Sequence, residues 1–322
     1  MLPKVTFIIP CYNEEPYLGR CLAAIGSLYA DPAAIEVIVV DNCSTDGSRE
    51  VAASHGGRVL LNDRRGAAAS RNLGAREARG ALLAFVDADC LLPPGWLTAL
   101  AGHLENRGGA AAAAPALPAA GERTWVERAW SAVFRPLHAA GDSPAPASYL
   151  PSADLLVVRS YFEEIGGFDE TLLSCEDYHL SQRLRNYGLL LLDRNHPVVH
   201  LRESRTVAEL FHRERARGRF SLRCFAKDGF PLREAPSLAV PALTLLAAAA
   251  FSLSALLGRP GATLAGAFAL SALPLVYLVK SGERPEGLGS LLQQYAVAAT
   301  YLLARSSALA GELMELTLPN RR

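Results

Sequence analysis

Two aspartates that follow a hydrophobic run have the spacing of a metal-binding pair. Asp87 and Asp89 come directly after the apolar stretch Leu82–Val86. Residues two positions apart in an extended chain point in the same direction, so these carboxylates converge beyond the end of the predicted strand. Paired carboxylates beside a diphosphate suit Mg²⁺ or Mn²⁺, which would offset the charge on a departing nucleoside diphosphate. Many surface turns also contain Asp-x-Asp, and the position after a strand is what favours a functional role.

A second acidic turn follows another apolar run. Asp41 ends the stretch Ile35–Val40, and Asn42 to Gly47 form a polar turn before the next helix. Ordinary turn and helix-cap chemistry is the better interpretation for Ser44, Thr45 and Asp46. For Asp41, binding of a nucleotide base or ribose is at least as good an interpretation as turn chemistry.

Glu176 and Asp177 are a third acidic candidate, at the start of a predicted helix. Acids in a first turn stabilise a helix through its dipole, which is the structural interpretation. The catalytic interpretation is that Asp177, with Glu176 beside it, serves as a general base for an acceptor hydroxyl. Because a helix N-terminus keeps a carboxylate ionised, Asp177 would act mainly by orienting that hydroxyl.

The segments around these acids alternate between strand and helix patterns. Strands are predicted at Val5–Ile9, Ile35–Val40, Arg58–Leu61 and Leu82–Val86, with helices around Leu18–Leu28, after Ser48 and over Ala67–Ala78. This alternation predicts an α/β fold with an open, mostly parallel, doubly wound sheet. Ligands of such sheets bind at the carboxyl ends of strands, where the turns at Asp41 and Asp87 fall.

The pattern is weaker in the middle of the chain and then resumes. Residues 106–151, rich in Ala, Gly and Pro, predict an edge strand, a helix over Trp125–Phe134 and a long acceptor-side segment. Further strands are expected at Asp154–Val158, Leu189–Leu192 and Val198–Leu201. Helices are expected to begin at a Ser160 cap and end at Gly166-Gly167, and to cover Asp177–Tyr187 and the basic segment Thr206–Phe225.

Two uncharged segments near the C-terminus are long enough to cross the ~30 Å core of a bilayer. They are Leu238–Leu257 and Ala262–Val279, joined by a short turn that predicts a helical hairpin. The alternative is a pair of Ala-rich core helices in a soluble domain, but these segments have no polar face to meet water. Leu288–Ala310 is interrupted by polar residues and is expected either to span the membrane or to lie in its interface.

The distribution of charge predicts an orientation and a compartment. Arginines between Arg213 and Arg233 precede the first apolar segment, whereas the hairpin turn offers only Arg259, so the N-terminal part is expected in the cytoplasm. Six scattered cysteines without a CxxC pair, and the absence of a signal-peptide pattern, agree with that. A formal net charge of zero gives no indication of a nucleic-acid partner. The basic helix is expected to contact anionic headgroups, or a donor or lipid phosphate.

Six short segments carry a resemblance when taken in order. They are Val5–Glu14, Val37–Gly47, Ala69–Gly74, Asp87–Asp89, Gly166–Glu170 and Glu176–Asp177. Over residues 4–220 the chain resembles family 2 glycosyltransferases of the GT-A fold. The resemblance implies inverting transfer from a nucleoside-diphosphate sugar. It implies a nucleotide site lined by Pro10, Tyr12, Glu14 and Asp41, Arg71 near the diphosphate, Asp87 and Asp89 on donor and metal, and Asp177 as base.

The chain departs from that family in two places. Processive synthases of the family carry a QxxRW motif, but the matching region, Phe211–Gly218, has neither Gln nor Trp, which favours transfer of a single sugar. Many relatives have an acid two residues after the Glu-Asp pair, where this chain has His179. His200, at a late strand end, stands where some GT-A enzymes place a metal ligand, although a purely structural histidine is the commoner case.

These observations predict a catalytic domain over residues 1–225 and a membrane region over 226–322. The expected protein is a multi-pass inner-membrane enzyme with a cytoplasmic catalytic domain, a nucleotide-sugar donor, a lipid or lipid-linked glycan acceptor, and Mg²⁺ or Mn²⁺ held by Asp87, Asp89 and His200. The alternative is a non-catalytic membrane adaptor that retains the fold. An oxidoreductase is disfavoured, because Pro10-Cys-Tyr-Asn stands where a GxGxxG turn would follow the first strand.

Overall fold

The computed structural model describes residues 4–28, 34–64, 66–113, 116–118, 123–134, 143–172, 174–219, 221–228, 235–281 and 285–317. The chain divides into two compact units. The first, called the sheet unit here, comprises Met1–Ala119 and Ala140–Arg202. The second, called the helical unit, comprises Ala120–Ala139 and Glu203–Arg322. The division proposed from sequence, at residue 225, stays a prediction.

An eight-stranded sheet forms the centre of the sheet unit. Its strand order is β3-β2-β1-β4-β9-β6-β10-β8. The strands are β1 (Val5–Cys11), β2 (Ile35–Asp41), β3 (Arg58–Leu61), β4 (Leu82–Val86), β6 (Gly109–Ala113), β8 (Ala145–Pro146), β9 (Asp154–Val158) and β10 (Leu189–Leu192). Strands β1 to β4 pair in parallel, while β9 runs antiparallel to both of its neighbours, β4 and β6. The predicted mostly parallel α/β fold is confirmed.

The sheet is buried on both faces, as its nearly continuous apolar strands predict. Phe7 and Ile9 of β1 belong to one core cluster, and Ile8 between them belongs to the cluster on the opposite face. In the Ala-rich middle of the chain, the strand Gly109–Ala113 lies inside the sheet between β9 and β10. The edge strand of that region is the two-residue β8.

Six helices belong to the sheet unit over the residues that the structure describes. They are Glu15–Gly26, Ser48–Ser54, Ala67–Glu77, Trp96–Arg107, Arg159–Glu164 and Glu176–Leu184. Leu18, Leu22 and Ile25 are buried on one face of the first helix, as their spacing predicts. Two predicted boundaries were wrong. Arg159 begins the fifth helix after Val158, so Ser160 is not its cap, and the last helix ends at Leu184 rather than Tyr187.

Gly74 allows the helix Ala67–Glu77 to approach the sheet closely. A Cβ atom at this position would overlap Ile8 Cγ2 and would lie 3.2 Å from Val40 Cγ2. We expect Gly74→Ala to lower the free energy of unfolding by about 1–3 kcal/mol, because both neighbours are fixed in β1 and β2. Denaturant titration measures the loss. Gly26→Ala, whose new Cβ would meet nothing within 4 Å, is the matched control. Equal midpoints for the two variants would contradict the packing argument.

A second, three-stranded sheet stands beside the end of β4. It consists of β5 (Cys90–Leu91), β11 (Val198–His200) and β7 (Ala116–Pro118), in the order β5-β11-β7. Strands β5 and β11 run antiparallel, with His200 opposite Cys90 and Val199 opposite Leu91. This small sheet therefore brings a late part of the chain next to Asp89.

The helical unit contains seven helices over its described residues. They are Trp125–Phe134, Val207–Gly218, Ser221–Asp228, Ala235–Leu256, Pro260–Ala272, Leu275–Ser281 and Gly287–Thr317. The first has the predicted bounds. The basic segment predicted as one helix over Thr206–Phe225 forms two, because the chain becomes extended at Arg219. The second apolar segment is interrupted at Pro274, which has no backbone N–H to donate.

Two helices among the described residues are long and apolar enough to cross a membrane. They are Ser237–Leu256 and Pro260–Ser281, each with a mean hydropathy of 1.9. Only 28% of the first and 6% of the second is buried within the protein, which does not fit core helices of a soluble domain. The C-terminal helix, Gly287–Thr317, does not meet the same criterion over its described length.

Candidate active site

The two aspartates of the DxD motif lie between β4 and β5. The backbone N–H of Asp87 donates to the carbonyl of Ala153, which fixes the start of the turn against the loop before β9. Asp89 is almost fully buried, and its carbonyl accepts a hydrogen bond from Leu201 N–H. Pairing of β5 with β11 places His200 Nδ1 3.4 Å from Asp89 Oδ2. The sheet thus joins two of the three predicted metal ligands.

Among the described residues, Asp89, Cys90 and His200 form a group that could hold a metal ion, with one ligand atom from each lying within 4.8 Å of the others. Burial raises the pKa of the Cys90 thiol well above its usual range, and a sulfur ligand suits Mg²⁺ or Mn²⁺ less well than an oxygen ligand does. Burial also raises the pKa of Asp89, and neighbouring His200 opposes that shift. A carboxylate and an imidazole fit a hard or borderline divalent ion.

Arg71 connects the DxD motif to Glu176, the residue that precedes the candidate base Asp177. Its guanidinium is almost completely buried and donates to Asp87 Oδ1 at 2.8 Å and to Glu176 Oε1 at 2.9 Å. It also stacks over the ring of Phe168, 5.5 Å from the centroid. Asp87 and Glu176 raise the pKa of Arg71 despite its burial, so the cation is retained. Asp87, which was predicted to be a metal ligand, therefore also holds Arg71 through its carboxylate.

Asn72 holds the loop that precedes the candidate base. Its Nδ2 donates to the Phe168 carbonyl at 2.9 Å, and its Oδ1 accepts from the Phe168 N–H at 2.9 Å. Gly167 adopts φ +74°, a conformation that favours glycine, and a Cβ there would lie 2.6 Å from Asn72 Oδ1. Both the backbone conformation and the lack of space therefore require glycine at this position. The matched segments Ala69–Gly74 and Gly166–Glu170 are thus parts of one local structure.

Glu176 and Asp177 begin the helix that ends at Leu184. Cys175 precedes them with φ 62°, a left-handed conformation that turns the chain into the helix. Glu176 contacts Arg71, while Asp177 Oδ1 accepts the N–H of Tyr178 at 2.8 Å. His179, the position where many relatives carry an acid, lies 3.7 Å from Asp169. Glu176 therefore anchors the start of this helix to Arg71, and Asp177 is the next residue of the same helix.

Glu14 and Arg202 form an ion pair that sequence reasoning missed. Arg202 Nη1 donates to Glu14 Oε1 at 2.7 Å, although the residues are 188 positions apart. Glu14 Oε2 is buried and has no hydrogen-bond partner within the part of the chain that the structure describes. Burial raises the pKa of the Glu14 carboxyl to about 7, an effect that Arg202 opposes and that Asp89 and Asp87 reinforce. The one signal in the sequence is that Arg202 lies two residues after His200, which was already a candidate for the same site.

The raised pKa of Glu14 predicts a pH-dependent stability. Its folded pKa exceeds its unfolded value of ~4.3, so the contribution is fully present below that pH and is lost as the pH rises towards about 7. We expect Glu14→Gln to melt at a higher temperature relative to wild type at about pH 8 than at about pH 5. Exposed Glu50→Gln serves as the control. A melting difference independent of pH would contradict the prediction.

Asp41 and its neighbours form a turn after β2 that local contacts and one link to the end of β1 stabilise. The Asp41 carboxylate is buried, accepts the N–H of Ser44 at 3.2 Å and pairs with Arg49 at 2.9 Å. Asn13 Oδ1 accepts the N–H of Thr45 at 2.8 Å, which ties the end of β1 to this turn. Pro10 is the second-last residue of β1, and the ring of Tyr12 just beyond the strand is exposed. Direct contacts link Asp87 to Glu176 through Arg71, and Asp89 to His200, whereas the side-chain contacts of Asp41, with Ser44 and Arg49, are local.

Comparison with known proteins gives a consistent result. The model of the glycosyl transferase family 2 matches residues 6–163. Glycosyltransferase AglE of Haloferax volcanii is 28% identical over 302 residues, which cover 91% of this chain and 97% of AglE. The pre-mycofactocin glycosyltransferase of Mycobacterium tuberculosis is 32% identical over 200 residues, which cover 58% of this chain and 40% of that protein.

Solved structures show the same fold. The mannosyltransferase PcManGT from Pyrobaculum calidifontis, determined in complex with GDP-Man and Mn²⁺, superposes with a TM-score of 0.64. The superposition covers 98% of this chain and 88% of PcManGT, at 23% sequence identity. At that identity the likeness establishes the GT-A fold alone.

Proposed function

Because this chain belongs to glycosyl transferase family 2, and is therefore a glycosyltransferase that uses a nucleotide-sugar donor, we propose that it transfers a single sugar with inversion to a lipid-linked acceptor. The observation that carries the proposal is the gathering of acids around Arg71, which contacts Asp87 on one side and Glu176 on the other. Asp89 and His200 adjoin the same motif through the pairing of β5 with β11.

The donor end of the site is proposed to depend on Mg²⁺ or Mn²⁺. Asp89 and His200, with Asp87 beside them, would hold the ion, which when bound would neutralise charge on the leaving diphosphate. Support comes from the donor chemistry of this group and from PcManGT, which was solved with GDP-Man and Mn²⁺. Glu14 and Asp41 are proposed to line the nucleotide site with Pro10 and Tyr12.

The acceptor end of the site is proposed to depend on Asp177. Its carboxylate would orient the acceptor hydroxyl and take its proton as the hydroxyl oxygen bonds to the anomeric carbon. The bond from that carbon to the diphosphate oxygen breaks in the same displacement, so the configuration inverts. Arg71 would not react, but would keep Glu176, and with it the start of the base-bearing helix, fixed against the DxD motif.

A membrane acceptor is proposed from the helical unit. Two exposed apolar helices, Ser237–Leu256 and Pro260–Ser281, would insert in the bilayer and keep the enzyme at its surface. The basic segment before them favours a cytoplasmic catalytic domain at the inner membrane. A lipid or lipid-linked glycan is the acceptor that such an attachment would supply, and the missing QxxRW motif favours addition of one sugar.

A donor screen tests the proposal directly. The purified full chain, in detergent with a lipid extract, is incubated with UDP-, GDP- and dTDP-sugars and either Mn²⁺, Mg²⁺ or excess EDTA. We expect release of a nucleoside diphosphate from one donor class, dependent on the metal and on added lipid. If none of the donors is turned over, the result would support the alternative of a non-catalytic adaptor. Turnover that persists in EDTA would contradict the metal dependence alone.

A further inference from the structure

The C-terminal helix, Gly287–Thr317, carries apolar side chains on its outward side as well as on its buried side. Its outward side exposes large apolar side chains, among them Leu288 at 71%, Leu303 at 58% and Met314 at 60%. The side that packs against the rest of the helical unit carries buried polar groups, including Ser306 at 3% and Glu312 at 4%. A helix on the surface of a soluble protein instead presents charged and polar residues outward. Its outward face therefore suits an apolar environment.

The inward polar groups of this helix have partners within the helical unit. Arg305 Nη2 donates to the buried carboxylate of Glu214 at 3.2 Å. The Glu312 carboxylate accepts the backbone N–H groups of Leu222 and Arg223, at 3.1 and 3.0 Å, and so caps the start of the helix Ser221–Asp228. Its polar side is therefore satisfied by protein, and the apolar side is the one left for another partner.

The neighbouring helix, Val207–Gly218, decides between a spanning and a surface position. It packs directly on the C-terminal helix, since a Cβ at Gly218 would lie 2.9 Å from Ala308 Cβ. It also exposes His212 and Arg215, which need water or anionic headgroups. One neighbour of the C-terminal helix is thus hydrated along its length while the opposite face is apolar. That combination fits the boundary between water and hydrocarbon.

Two hydrogen bonds join the C-terminal helix to the proposed membrane hairpin. Tyr295 Oη donates to the Ser271 carbonyl at 2.9 Å, and Ser306 Oγ donates to the Pro241 carbonyl at 3.3 Å. The exposed apolar surface of the hairpin is therefore joined to that of the C-terminal helix within one unit. A second copy of this chain could also cover the apolar face, but continuity with the hairpin and adjoining arginines favour a lipid surface.

We propose that Gly287–Thr317 lies in the headgroup region of an anionic bilayer, parallel to the membrane, with its Leu288–Leu303–Met314 face towards the acyl chains. The inference rests on the proposed membrane attachment of the hairpin, and it adds a third contact that does not span. A helix of 31 residues is ~46 Å long, so it forms a broad platform at the surface. Arg215 then faces the phosphates of the same leaflet.

Depth measurements on the full chain test this placement. Cys43 and Cys175, the cysteines that are not buried, are replaced by Ser. A single environment-sensitive fluorophore is then attached at Leu288→Cys, Leu303→Cys or Met314→Cys. The protein is reconstituted in vesicles of phosphatidylcholine and phosphatidylglycerol that contain nitroxide lipids, spin-labelled near the headgroup or near the acyl-chain end.

An interfacial helix gives the same shallow depth at all three positions, with headgroup-proximal quenching about twofold stronger than deep quenching. Leu303 lies halfway along the helix, so quenching of its label mainly by the deep nitroxide would show a spanning helix and overturn the proposal. Unquenched labels would also overturn it, and a protein-concentration-dependent emission shift would then identify a second copy as the partner.

Two control positions separate this proposal from the wider one. A label at Arg215→Cys on the hydrated helix is expected to show no quenching by the deep nitroxide. A label at Leu264→Cys reports on the hairpin, where the side chain is exposed. If Leu264 is unquenched, the membrane attachment in the proposed function fails as well. If Leu264 is quenched and Leu303 is not, only the placement of the C-terminal helix is wrong.

Discussion

Replacing Asp177 by Asn is expected to lower the turnover number about 10²- to 10⁴-fold, the range for loss of a positioned general base. The side chain keeps its size, and its Oδ1 atom can still accept the N–H of Tyr178. The amide has no capacity to take a proton from the acceptor hydroxyl. The change should therefore appear in kcat and leave the KM for the nucleotide sugar nearly unchanged.

Steady-state kinetics with the donor found in the screen measure this effect. Asp63→Asn, at an exposed carboxylate in the loop after β3, is the matched control and should retain wild-type turnover. Slow hydrolysis of the donor by water provides a second readout, because binding of the donor does not need Asp177. Turnover by Asp177→Asn within a few-fold of wild type would remove this residue from the catalytic role.

Replacing Arg71 by Ala is expected to abolish activity and to destabilise the protein by about 3 kcal/mol, near the lower limit for breaking a buried ion pair. The guanidinium holds Asp87 and Glu176, and without it two carboxylates would face each other in a partly buried site. Asp87 is one-third exposed, so water screens part of the repulsion. Loss of the Phe168 contact contributes in the same direction.

Arg71→Lys separates charge from geometry. A lysine keeps the positive charge but has no planar fork to reach both carboxylates, so stability should recover more than activity does. Chemical denaturation and donor turnover are measured on the same preparations. A double-mutant cycle with Glu176→Gln should show coupling, because the two residues share one contact. Full activity in Arg71→Lys would show that charge alone suffices and that the bidentate arrangement has no role.

The acids of the candidate site could be located from sequence because their positions follow from local patterns. Buried parallel strands have recognisable apolar runs, and the carboxyl ends of such strands meet at one edge of the sheet. Asp87 follows β4 and Asp41 ends β2, as predicted. The resemblance to family motifs then singled out Arg71, and the structure gives that residue its specific contacts.

The remaining features depend on tertiary contacts that no local pattern records. Strand β9 inserts antiparallel between β4 and β6, and periodicity does not reveal the order of strands. His200 reaches Asp89 through pairing of β5 with β11, and the local pattern of neither strand records which strand it pairs with. The break after Gly218 occurs in a sequence with good helix propensity, and the distant Glu312 caps the helix that follows.

The double hydrogen bond between Asn72 and Phe168 has a consequence for how this enzyme could diversify. It fastens together two points 96 residues apart, so the chain between them leaves and returns to one fixed place. The excursion includes β4, the DxD motif and β9, which must be kept, but insertions or deletions in the segments that connect its strands need not shift Glu176 or Asp177. New acceptor preferences could thus be acquired by exchanging those connecting segments while the reacting groups stay in register.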